Sequence, residues 1–275
     1  MDRRTFLGTL SAAALLHGRL LWAASEEHKI DKIGLQLYSV RGEMQKNVEA
    51  TLAKVAQIGY KEVELAGLFN HSPQEVRTIL DRNGLTAPSA HVEYKLLGAE
   101  WPKALDDAHT LGQKFIVCPS IDEKLRGSED DWKRVAQHFN EAGQASKKAG
   151  IQFAYHNHDF EFKPLNGKLP YDILLAEADS DLVKMEMDLF WTTKGGQDPT
   201  AYFARYPGRF ALVHVKDMKS SGEMTEVGSG SIDWKKIFTH SNQAGIQHYF
   251  VEHDEPKSPL DSIRTSYEYL KNLQF

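Results

Sequence analysis

Four apolar runs of the sequence each end in a pair of polar residues spaced two apart: His156 and His158, Glu186 and Asp188, His214 and Lys216, Glu252 and Asp254. Residues two apart on an extended strand share a face, so each pair points one way while the alternate positions stay mostly apolar. Carboxylates brought together lose hydration and repel one another, and a divalent cation relieves both penalties. Asp188, His214 and Glu252, with His156 as a fourth, therefore read as ligands of one divalent metal ion. Glu186 lies one layer deeper and reads as structural. Glu252 can serve as base as well as ligand, and Lys216 offers a positive charge for a developing oxyanion. A single histidine or aspartate at a strand end is more often a hydrogen-bonded structural group; four pairs in phase shift the weight to a site.

Such convergence needs strands whose ends meet. From residue 33 onward, β-rich runs alternate with longer helical patterns: Ile33–Val40, Tyr60–Ala66, Thr86–Val92, Lys114–Pro119, Gln152–His158, Leu182–Leu189, Phe210–Lys216 and Tyr249–His253. Glycines 59, 84, 112, 150, 208 and 245 stand where helices should stop, and Ser72-Pro73, Asp198-Pro199 and Ser258-Pro259 where helices should start. The last helix is expected over Pro259–Leu273. Eight strand–helix repeats favour a closed (β/α)8 TIM barrel over an open doubly wound sheet, and no G-x-G-x-x-G follows the first strand. In such a barrel the polar pairs fall at the C-terminal ends of the strands, where active sites are built.

The 275 residues, 41% of them hydrophobic, suffice for one barrel domain over residues 30–275. A formal charge of -5 without a basic stripe argues against a nucleic-acid partner. Residues 1–25 read as an export signal of the twin-arginine type: Arg3 and Arg4 precede Thr5, Phe6 and Leu7, and a weak apolar run, broken by His17 and Arg19, reaches Ala24. That run is too poor for a stable membrane span, so a periplasmic or otherwise exported protein is expected. Cys118, the single cysteine, sits in an apolar run and reads as core.

The segments Gly34 to Ser39, Gly59 to Glu64, Ser89-Ala90-His91, Tyr155-His156-Asn157-His158, His214-Val215-Lys216-Asp217, Gly228 to Trp234 and Val251-Glu252 resemble the sugar phosphate isomerase/epimerase family with its xylose isomerase-like barrel. The resemblance covers nearly the whole chain after residue 30. It implies a metal held by a glutamate on the fifth strand, an aspartate on the sixth, a histidine on the seventh and a glutamate on the eighth. Asp188, His214 and Glu252 match; the fifth-strand glutamate is replaced by His156, which puts simple 3-epimerisation in doubt. Glu161, in the following loop, is a candidate to swing into the mouth as ligand or base. The family's histidine three positions after the aspartate is replaced by Trp191, suited to an apolar wall against a sugar face. His91 and His158 are candidates to orient hydroxyls.

The resemblance implies proton removal next to a carbonyl, with an enediolate intermediate, on a small carbohydrate substrate. A metal-dependent sugar isomerase or epimerase is the leading expectation, and a lyase or hydratase on an oxidised sugar or glycoside is the alternative. A sugar-binding barrel without chemistry, or an endonuclease-like hydrolase acting at abasic sites, stands behind both. Manganese, magnesium, zinc, iron and cobalt all suit mixed nitrogen and oxygen ligands, and a homo-oligomer is left open.

Overall fold

The apolar runs become short strands that close on themselves. A computed structural model describes residues 28–275, so the expected export signal lies outside the described residues. The barrel strands, first to eighth, are Ile33–Gln36, Glu62–Leu65, Thr86–His91, Phe115–Cys118, Gln152–His156, Val183–Asp188, Phe210–Val215 and His248–Val251. All neighbours pair in parallel, and the eighth strand lies between the first and the seventh, closing the ring. No described helix is long and apolar enough to cross a membrane.

Several strands are shorter than the sequence predicts. The first ends where the Gln36 side chain accepts a hydrogen bond from the Tyr38 amide and turns the chain into a 3-10 segment, Leu37–Val40. His158, Lys216 and Glu252 all lie just beyond the last paired residue of their strands, on the rim rather than inside the ladder.

The helix signals are realised locally. Ser72 accepts from the Glu75 amide while the Glu75 carboxylate accepts from the Ser72 amide, a reciprocal cap at the start of Pro73–Arg82. Asp198 caps Pro199–Arg205 in the simpler way, accepting from the Thr200 amide. Gly112 and Gly245 end their helices in the left-handed region, where a side chain would be strained.

The two phases of each strand separate two cores. Outward residues such as Val63, Ile116, Phe153, Met185 and Val213 pack under the helices. Trp101 and Phe139, on two different helices, meet Phe153 at ring distances of 5.8 and 5.3 Å. Inward, Phe115, Val117, Ala154, Ala211, Leu212 and Phe250 form a separate apolar plug. Gly34 makes room for it: a Cβ there would lie 2.5 Å from Phe250 Cδ1. Above this plug the inward side chains turn polar.

Candidate metal and active site

Eight lumen-facing side chains stand above the plug: Gln36, Glu64, Ser89, His91, His156, Glu186, His214 and Glu252. All are buried except His91, which is half-buried at the upper edge. The next level, at the mouth, holds Asp188, Lys216 and Asp254. Glu186 and Asp188 are two apart on the sixth strand, so one strand supplies both levels.

His214 is the hinge of the arrangement. Its Nδ1 is 2.7 Å from Glu252 Oε2, and its Nε2 is 2.7 Å from Glu64 Oε2 and 3.2 Å from Glu186 Oε2. Glu64 is held from behind, accepting from Gln36 Nε2 at 2.7 Å and from Ser89 Oγ at 2.5 Å. His91 Nε2 is 2.9 Å from Glu186 Oε2, and His156 Nδ1 is 3.2 Å from the same oxygen. Three imidazoles therefore point at one carboxylate.

At the mouth, Lys216 Nζ lies 2.9 Å from Asp188 Oδ2, 2.6 Å from Glu252 Oε2 and 2.8 Å from Asp254 Oδ1. Asp188 is fixed by local structure. Its Oδ1 caps the helix Leu189–Lys194 by accepting from the Trp191 amide at 2.8 Å, its own amide donates to Asn157 Oδ1, and its carbonyl accepts from Thr192 Oγ1. Only Oδ2 is left to face the lumen.

The electrostatics follow from crowding acids in a buried space. Burial alone would lower the proton affinity of His214 and His91, but the charges of Glu186 and Glu252 hold His214 well above the usual imidazole range. Those of Glu64 and Glu186 raise His91 to about 9. Burial raises Asp188 to about 6, against the pull of Lys216. His156, buried among other cationic groups, is pushed well below the imidazole range, and burial with Lys216 nearby takes His158 to about 4. The lumen thus demands positive charge and supplies unprotonated nitrogen.

The residues present fit a divalent ion. Two donor sets share His214: an inner one of His91, His156, Glu186 and His214, and an outer one of Asp188, His214 and Glu252, each with its ligand atoms within 4.8 Å of one another. His156 Nδ1, Glu186 Oε1 and Asp188 Oδ2 are buried without a hydrogen-bond partner. For Asp188 Oδ2 this holds despite the nearby Lys216 ammonium, which is close but poorly aimed.

The structure brings together most of the residues singled out in the sequence, with shifts of role. Asp188, His214, Glu252, His156 and Lys216 converge as expected. Glu186, expected to be structural, is the carboxylate on which three imidazoles converge, and His91 faces it rather than open space. Glu161 does not enter the mouth. Tyr155, in the outward phase of the fifth strand, donates its hydroxyl to Glu161 Oε1, and the His158 amide donates to Oε2 at 2.8 Å, so the carboxylate is locked behind the strand.

His158 lines a cavity of about 580 Å³ together with His91, His156, Lys216, Glu252 and Asp254. Its ring stands 5.9 Å from that of Trp191, whose buried Nε1 has no partner. Glu64 was missed; it shares the lumen phase with Glu62, and that alternation was the available signal. Asp217 was missed as well. Its carboxylate accepts from the amides of Met218, Gly228, Gly230 and Ile232 and from Trp234 Nε1, tying the glycine loop beside the seventh strand.

Comparison with known proteins agrees with this architecture. An inosose dehydratase from Lacticaseibacillus casei is 24% identical over 264 aligned residues, which cover 81% of this chain and 88% of that protein. The crystal structure of a sugar phosphate isomerase/epimerase from Parabacteroides distasonis superposes with a TM-score of 0.77 at 30% identity, over 87% of this chain and 93% of that one. A zinc-binding IolI protein shares the fold, with a TM-score of 0.69 at 14% identity over 86% of this chain and 95% of its own. The family model described as the xylose isomerase-like TIM barrel matches residues 52–273, and the chain belongs to that family.

Proposed function

We propose that this protein is a divalent-metal-dependent enzyme that removes a proton from the carbon beside the carbonyl of a keto-sugar and returns it to give an isomer or epimer. The observation that carries this reading is the convergence of imidazoles, carboxylates and one buried lysine at the mouth of the barrel, open to a cavity of sugar-accommodating size. A divalent ion held by these side chains supplies a Lewis acid for the sugar oxygens. Glu252 is the base, placed at the cavity wall. Lys216 keeps Glu252 ionised and presents an ammonium toward developing negative charge. His158 stands in the cavity wall where it can orient the sugar, with Trp191 behind it at 5.9 Å. We further read the chain as an exported protein, on the strength of Arg3, Arg4 and the apolar run after them.

A second fate of the same intermediate, loss of a leaving group from the neighbouring carbon, has its own support. Curated relatives aligned over most of the chain carry the name inosose dehydratase, and the family resemblance implies that His156 replaces one carboxylate of the pair that shuttles the proton in the epimerases. Incubating metal-loaded protein with a panel of keto-sugars and keto-glycosides in deuterated water separates the two. Isomers carrying solvent deuterium support the first fate, and release of water or aglycone supports the second. Failure to exchange any proton on any member of the panel would sink the proposal.

A further inference from the structure

Two adjoining positions in the lumen can each hold positive charge, and they are not equivalent. We infer that the divalent ion belongs to the inner set, His91, His156, Glu186 and His214, because the Lys216 ammonium already stands at the outer set, between its carboxylates Asp188 and Glu252 and beside Asp254. This rests on the proposal above that the chain binds one such ion, and it departs from the ligand set that the family resemblance implies.

The inner set is nearly assembled. Glu186 Oε2 lies 2.9 to 3.2 Å from His91 Nε2, His156 Nδ1 and His214 Nε2. Neighbouring donors around a tetrahedral ion with bonds of about 2.0–2.2 Å are separated by roughly 3.3–3.6 Å, so the set needs to open by only a few tenths of an ångström. Two atoms of the set, His156 Nδ1 and Glu186 Oε1, are buried with nothing to bond, which is costly unless a ligand satisfies them.

The outer set already holds one cation, although Asp188 Oδ2 has no hydrogen-bond partner. Lys216 is 2% exposed and touches all three carboxylates of its surroundings within 2.9 Å. An ion entering there would have to displace this buried ammonium or sit against it.

His214 settles how the two positions coexist. With Nε2 turned to the inner set, its Nδ1–H donates to Glu252, the arrangement by which a carboxylate fixes the tautomer and orientation of a metal-binding imidazole. Glu64, clamped by Gln36 and Ser89, adds a further carboxylate beside the same nitrogen. Asp188 and Glu252 then stay paired with Lys216 rather than binding the ion. Three imidazoles and one carboxylate favour zinc, cobalt or iron over magnesium, and the histidine that replaces the fifth-strand glutamate becomes a ligand suited to this set.

The test is calorimetric titration of the metal-stripped full chain with Zn2+ and with Co2+, wild type against His91→Ala, Glu186→Gln and Asp188→Asn, with circular dichroism melts to confirm folding. Expected are one ion per wild-type chain, affinity lowered by at least about 100-fold in His91→Ala and Glu186→Gln, the loss exceeding what outer contacts alone give, and a change under about threefold in Asp188→Asn. Loss of the ion in Asp188→Asn with retention in His91→Ala overturns the inference and leaves the proposed function standing. A wild-type chain that binds no ion overturns both. Should a variant not fold, proton NMR of the Co2+-loaded wild type decides: ring signals shifted by the metal from three histidines support the inner set, and from one histidine the outer set.

Discussion

Replacing Glu161 by glutamine tests whether that carboxylate is buried structure rather than a mobile base. Glu161 is fully buried, and burial raises its proton affinity from the ordinary 4.5 to about 7 against the hydrogen bonds from Tyr155 and the His158 amide. Each tenfold in an ionisation equilibrium is about 1.4 kcal/mol, so the shift corresponds to about 3 kcal/mol. The sign follows from where the protons sit. Between pH 4.5 and about 7 the folded chain keeps the proton that the unfolded chain has released, so the contribution is fully present below 4.5 and is lost as pH rises through about 7. Glutamine, which cannot ionise, removes this dependence. Urea denaturation of wild type and Glu161→Gln at pH 5, 6, 7 and 8 reads the difference directly, and subtracting the two curves cancels the other groups that titrate in the range. The variant is expected to gain on the wild type by about 2–3 kcal/mol from pH 5 to pH 8. A difference that stays flat across that range would mean that Glu161 is solvated in the folded state, and the reasoning would fail.

Three further substitutions probe how the scaffold holds the site. Asp217→Asn turns an amide toward donors that now meet a carboxylate and should cost about 3 kcal/mol, with faster proteolysis in the loop between Glu226 and Trp234; unchanged stability would contradict the tie. Gly34→Ala drives a methyl group into Phe250 and should cost about 1–3 kcal/mol; pairing it with Phe250→Leu should recover part of that loss, and strict additivity of the two would argue against a shared space. Ser72→Ala removes one reciprocal cap and should lower stability by about 1 kcal/mol in thermal melts.

The barrel was legible because period and punctuation agree. Apolar runs of strand length alternate with patterns that begin at Ser72, Asp198 and Ser258 and end at glycines; Ser72 and Asp198 act as side-chain caps and Gly112 takes the left-handed backbone, while Ser258 starts its helix without a side-chain cap bond. Strand ends were read too long because the residue pattern does not mark where pairing stops: the first strand turns into a 3-10 segment at Leu37 and the sixth into a helix at Leu189, while His158 lies two residues past the last paired residue of the fifth. Hydrogen bonding between neighbours, which ends a strand, depends on register, and register is not written locally. The ladder shifts between Glu62 and Glu64 against the third strand and between Met185 and Glu186 against the seventh. The first shift carries a mark, Pro88, in the third-strand stretch that holds the extra residue, and the second carries neither glycine nor proline.

The same stagger decides which neighbours each lumen carboxylate meets. Phase alone puts Glu186 and Asp188 on one face, yet which of them meets the imidazoles depends on how high the sixth strand stands beside the fifth and the seventh. Its register sets His156 beside Glu186 and His214 beside Asp188, so the deeper carboxylate meets the rings and the upper one meets Lys216. Glu64 joins from the opposite side of the closed ring, 150 residues from His214 in sequence, a proximity that only closure creates. Glu161 fails for the complementary reason. It is near His156 along the chain, but Tyr155 points outward beside Phe139 and captures the carboxylate on that side. A lumen site is therefore legible through the parity of each strand, and its internal assignments become legible only once the stagger between strands is known.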